Sequence, residues 1–177
     1  MKKSIMVPAV LIIAAMFASI AFAADATKIG VINFEKILQE SSPGKVMQKE
    51  LKAKRDQLQG KFQAEGKKFE DMNAALEREA LVLSAEKKLE RQRELRDKAD
   101  DLKKMNADYT QEMQILQNKR INQIQKDIFD ITNKIGTAKG YILIIEKNRA
   151  GVIYAADKVD ITDEVIKEYN SIYAKKK

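Results

Sequence analysis

Apolar residues recur in heptad spacing along two consecutive stretches. The first carries Leu51, Leu58, Phe62, Phe69, Met72, Leu76 and Leu83, and the second Leu95, Ala99, Leu102, Tyr109, Met113 and Leu116. From Lys45 to Gly136 only Gly60 and Gly66 interrupt, and no proline follows Pro43. The pattern predicts two helices packed along one seam rather than a globular core. If they run antiparallel, Leu51 faces Leu116, Leu58 faces Tyr109 and Met72 faces Leu95, which sets the fold-back near Leu83 and Ser84. Ser84 is suited to cap the returning helix, with Glu86 in its first turn opposing the helix dipole. At a rise of about 1.5 Å per residue, residues 45–83 would extend about 60 Å. That is too long to lie within so small a domain, so the hairpin is expected to project as an arm.

The two ends of the chain read differently. Lys28 to Phe34 predicts a short strand, and Glu35 to Gln39 a brief helix halted by Ser41-Ser42-Pro43-Gly44. Ile121, Ile124, Ile128, Ile131 and Ile135 keep a 3-4 spacing in a register displaced from the preceding one, so the helix is expected to change partner near Ile121 and dock on a body. Tyr141-Ile142-Leu143-Ile144-Ile145 is a continuous apolar run of strand length, implying burial on both faces. A turn at Asn148 to Gly151 and a further strand at Val152 to Ala155 are predicted next, then a last helix capped by Thr162. The expected fold is α+β, mostly α: residues 24–44 and 136–177 form a small β-containing body, and residues 45–135 form the hairpin arm. So small a body cannot cover a doubly buried strand and anchor the arm. Tyr141, Ile142, Leu143, Ile144 and Ile145 are therefore expected at an oligomer interface.

Met1 to Ala23 has the form of a secretory signal, with Lys2 and Lys3, an apolar run, and Ala21-Phe22-Ala23 as a cleavage site, so export with cutting after Ala23 is expected. The formal net charge is +7. Residues 45–68 hold eight Lys and Arg against three acids, residues 69–86 one against five, and residues 87–104 eight against five. The opposite strips beside the tip favour pairing of the two helices, leaving a basic surplus nearer the body. That surplus is either a solvated face or an attraction for acidic clients and anionic surfaces.

Chemistry is sparse. With no His and no Cys, imidazole catalysis and zinc sites built on these ligands are excluded. Gly66-Lys67-Lys68 has the wrong spacing for a phosphate loop and no strand before it. The single aromatic residue in the basic strip, Phe62, is a heptad seam position, so the strip lacks the interleaved stacking residues that nucleic acid would need. The expectation is no enzyme, no cofactor, no metal and no nucleic acid. Candidate client contacts are Met47, Met105, Leu81 and Val82, with Lys49, Lys52 and Lys54 as the charged attraction. Gly60 and Gly66, at a level where Glu65 occupies an apolar seam position, are a candidate hinge.

The signal, the start Lys28-Ile29-Gly30-Val31-Ile32-Asn33-Phe34-Glu35-Lys36-Ile37-Leu38-Gln39-Glu40-Ser41, the hairpin, and the closing Val159-Asp160-Ile161-Thr162-Asp163-Glu164-Val165-Ile166 together resemble the Skp/OmpH family of periplasmic chaperones. The resemblance implies a homotrimer in which the β body is the hub and helical arms enclose a cavity, holding unfolded outer-membrane proteins without ATP. It also implies lipopolysaccharide or another anionic lipid as a ligand, with no residues here to assign to it. This sequence departs from the family's basic arm ends, because its charges nearly cancel toward the tip. A structural coiled-coil tether or spacer of the cell envelope is the alternative function.

Overall fold

The computed structural model describes residues 28–175; the expected export signal and the last two lysines lie outside them. Strand β1 (Lys28–Ile32) leads into α1 (Phe34–Glu40), α2 (Ser42–Glu79), α3 (Ala85–Lys139), β2 (Tyr141–Glu146) and α4 (Thr162–Lys175). The chain is mostly helical, with a single two-stranded sheet among the described residues.

Each helix boundary has a local cause. The Asn33 side chain accepts from Lys36 N at 3.0 Å and starts α1. Ser41 serves both sides of the first break: its N–H donates to Ile37 O, and its Oγ accepts from Gly44 N to start α2. A Cβ at Gly44 would stand 2.1 Å from Leu38 O, so only glycine lets α1 and α2 meet so closely. Ser84 Oγ accepts from Lys87 N, placing the cap of α3 at the predicted residue. Helix α2, however, ends at Glu79, so the turn centres slightly before Leu83. Gly140, at φ +70°, ends α3 in the left-handed region that favours glycine.

Helices α2, of 38 residues, and α3, of 55 residues, lie against each other. Lys54 Nζ meets Glu112 Oε1 at 2.6 Å, Arg120 Nη2 meets Glu50 Oε1 at 2.5 Å, and Lys98 pairs with Glu65. Leu58 and Leu95 are buried between them.

The core sits where the chain ends meet. Ile124, Ile128, Ile131 and Ile135 of α3 pack with Ile37, Val165 and Tyr169. Near Ile121, α3 gains these new neighbours, yet it keeps α2 as well, because Met47 is buried beside Ile124 in the same cluster. Strands β1 and β2 are parallel, with Gly30 opposite Ile144. The other side of β1 is met at one point by residues 160–161, where Ile161 N donates to Val31 O at 2.9 Å.

Three expectations are corrected here. Val152 to Ala155 forms no strand; β-branched composition favours extension, but among the described residues no strand pairs with it, and Ile153 is fully exposed. Strand β2 is not covered on both faces by the described residues, since Ile142 and Leu143 are left 68% and 49% exposed. Thr162 is the first residue of α4 rather than its cap. Its buried Oγ1 accepts from Asn33 N at 2.9 Å and ties α4 to the end of β1.

Candidate functional site

Among the described residues, no group of three or more His, Cys, Asp or Glu could hold a metal ion, and no helix is long and apolar enough to cross a membrane. The perturbed titrating groups are structural. At the end of the sheet, burial would raise the Glu146 pKa, but N–H groups of Arg149, Phe34 and Asn148, with the Arg149 charge, outweigh it and lower the value. Glu146 thereby holds the turn after β2 against the start of α1. Burial raises the Tyr169 pKa, helped by its hydrogen bond to Asp127 Oδ2 at 2.9 Å, which pins α4 on α3.

What the molecule offers is surface. At the turn between α2 and α3, Leu81 and Val82 are almost wholly exposed. Met105 is half-buried on α3, and Lys49 and Lys52 are exposed on α2. Met47 is not available: it is 8% exposed because the first turns of α2 are part of the core. Lys54 is paired with Glu112, so the basic surplus of residues 45–68 is partly neutralised across the seam. The Glu50–Arg120 pair works the other way, since it engages one of the three acids of that stretch with a cation of α3.

The hinge region also differs from expectation. Glu65 does not weaken the seam as an unpaired polar residue would, because hydrogen bonds from Lys68 and Lys98 hold its pKa at about 2. Its folded value is depressed from about 4.5, so its contribution is present above pH 4.5 and lost as pH falls through about 2. Glu65→Gln should therefore show a smaller drop in melting temperature than the parent between pH 5 and pH 2, a window set by these pKa values. Parallel melting curves would contradict the bridge. Helix α2 runs unbroken through Gly60 and Gly66, and a Cβ at either would meet nothing within 4 Å.

Two features escaped sequence reasoning. One is a groove of about 510 Å³ between α2 and α3, with Leu58, Phe62, Tyr109 and Met113 along it and amide side chains at its edges. A run of Asn and Gln on one flank of the heptads was the available signal. The other is an apolar surface on the body, where Phe129, 65% exposed, shares a cleft with Ile142, Leu143 and Ile144.

The sequence matches the model of the family described as outer membrane protein (OmpH-like) over residues 28–169. A search of curated proteins found no significant match. Among solved structures, the chain is similar to one from Caulobacter crescentus CB15, described provisionally as an outer membrane chaperone (OmpH-like). The two share 15% sequence identity with a TM-score of 0.76, over 81% of this chain and 84% of that one. At that identity the likeness establishes a common fold.

Proposed function

The chain belongs to the OmpH-like outer membrane protein family, and from that premise we propose that it is an exported, ATP-independent holdase that keeps unfolded outer-membrane proteins from aggregating. The observation that carries this reading is the helix pair itself. Two helices leave the core together, packed mainly on each other, and at their turn expose Leu81 and Val82 to solvent. So long an apolar-seamed projection adds little to the body it leaves and much to the surface within reach of a partner.

The arms act as walls and the body as the hub of a homotrimer in the periplasm. The exposed apolar side chains of β2 support an assembly of copies, because a subunit alone leaves Ile142 and Leu143 in water. Lipopolysaccharide or another anionic lipid is a further partner of this reading, with no residues assigned to it. A tether or spacer needs only the arm's length and would leave an unfolded protein to precipitate. The test is dilution of a urea-unfolded outer-membrane β-barrel into buffer with and without the protein. Suppressed light scattering at one trimer per barrel supports the holdase, and undiminished scattering rejects it in favour of the tether.

Two expected results concern how the arm works. Capture should be steered by the exposed Lys49 and Lys52 more than by the turn-proximal cations. Lys87 and Arg91 are already engaged with Glu90 and Glu94 three residues on, while Lys49 and Lys52 remain exposed. Charge reversal of Lys49 and Lys52 to Glu should slow capture in low salt by more than reversal of Lys87 and Arg91, read by stopped-flow fluorescence. Equal rates would remove the steering role.

The arm should also bend at Gly60 and Gly66, adapting one cavity to clients of different size. Each Gly→Ala change there should stabilise the helix by about 1 kcal/mol, since the added methyl meets open space. The double variant should narrow the distance distribution between spin labels at residue 75 of different subunits. Two equally narrow distributions would show that no hinge operates.

A further inference from the structure

The two flanks of the α2/α3 seam differ in kind. Lys54–Glu112 and Glu50–Arg120 close one flank with ion pairs. At 100° per residue, Gln59 and Phe62 of α2 and Thr110 and Met113 of α3 fall on the other flank. That flank is the open groove of about 510 Å³. Leu58, 4% exposed, lies in its floor, and Arg55 is the only charged residue lining it.

We propose that this groove seats an extended, uncharged segment of unfolded polypeptide with apolar side chains at alternate positions. The inference rests on the holdase reading and names the surface through which it acts. The amides of Gln59, Asn106, Gln114 and Gln117 on the lining each offer both a donor and an acceptor. An unfolded strand-forming segment brings unpaired N–H and C=O groups that need such partners once they leave water. Its side chains alternate, so every second one drops toward Phe62, Tyr109 and Met113 while the others face solvent. Residues 106–117 cover about 16 Å of helix, matching about five residues of extended chain.

Charge matching points the same way. A charged segment would be desolvated on this lining with Arg55 as its sole counterion, whereas an uncharged one loses no ion hydration. The Met113 thioether adapts to side chains of different shape, as a surface serving many sequences requires.

The chain has no cysteine, so single sites can be labelled in the full-length protein. Benzophenone would be attached to Gln59→Cys and Gln114→Cys on the groove, and to Lys61→Cys and Asp108→Cys on the ion-paired flank. Irradiation with a urea-unfolded outer-membrane β-barrel freshly diluted into buffer should give several times more barrel adduct from the groove sites. Equal yields from the two flanks overturn the assignment, and so do subunit-to-subunit adducts alone, which would give the groove to a second copy of this chain.

Thr110→Glu with Gln114→Glu should weaken barrel binding about tenfold while leaving sedimentation and helix content unchanged. Unchanged affinity overturns the proposal. A parent protein that fails to keep the barrel soluble overturns the holdase reading itself, whereas an active parent with indifferent flanks overturns only the groove.

Discussion

Ile131→Ala should destabilise the folded chain by about 2 to 5 kcal/mol. Ile131 is 2% exposed, in the stretch of α3 where the core closes on Ile37 and Val165, both fully buried. Removing three carbons there leaves a void lined by β-branched and helical neighbours that cannot collapse far, so the transfer and cavity costs add. The change acts on the body while leaving the α2/α3 seam intact. Urea unfolding at one protein concentration measures it, since association would otherwise shift the apparent stability. Phe129→Ala, two positions away and 65% exposed, is the control and should cost less in the separated subunit. A loss of no more than about 0.5 kcal/mol at Ile131, the ordinary surface range, would contradict the placement of the core.

Ile142→Asp should separate the subunits of the proposed trimer without unfolding them. The side chain is largely exposed within one chain, so a carboxylate there is solvated in the free subunit and desolvated only on assembly. The penalty for an unpaired buried carboxylate is on the order of 4 kcal/mol, about a thousandfold in the dissociation constant. Ile144 is the wrong position for this test. It packs on the chain's own core, so close to Gly30 and Gly136 that a Cβ added at either would touch it, and a charge there would report on folding. Sedimentation velocity of Ile142→Asp should give a monomer with parental helix content. An undisturbed assembly would place the interface away from β2.

Features set by a residue's own chemistry were legible in the sequence. The hydroxyl of Ser84 caps α3 because a short acceptor before an acidic first turn can satisfy free N–H groups wherever the helix lies. The 3-4 spacing of Ile124, Ile128, Ile131 and Ile135 marked the buried face of α3, because four β-branched residues on one stripe have no favourable place in water. Features set by the partner were not legible. Val152 to Ala155 has strand composition, but a strand also needs a neighbour, and none pairs with it among the described residues. Met47 lies outside the heptad positions that mark the seam, yet α1 and α3 close over it from another side. Glu65 is a polar gap in the heptad pattern, and the Lys98 that helps to fill it comes from the other helix, 33 residues on. The amide-edged groove joins residues of α2 to residues of α3, and what sets its flank apart is that the ion pairs occupy the other one.

The central claim is that the helical arms, not the body, hold the unfolded client. It is tested most directly by excising residues 55–112, which end at facing levels beside the Lys54–Glu112 bridge, and closing the gap with a short glycine turn. The shortened protein should keep the sedimentation mass expected for three subunits, yet leave a urea-diluted outer-membrane β-barrel to scatter light as though no protein were present. A shortened protein that keeps the barrel soluble as well as the parent would contradict the claim and move client binding to the body.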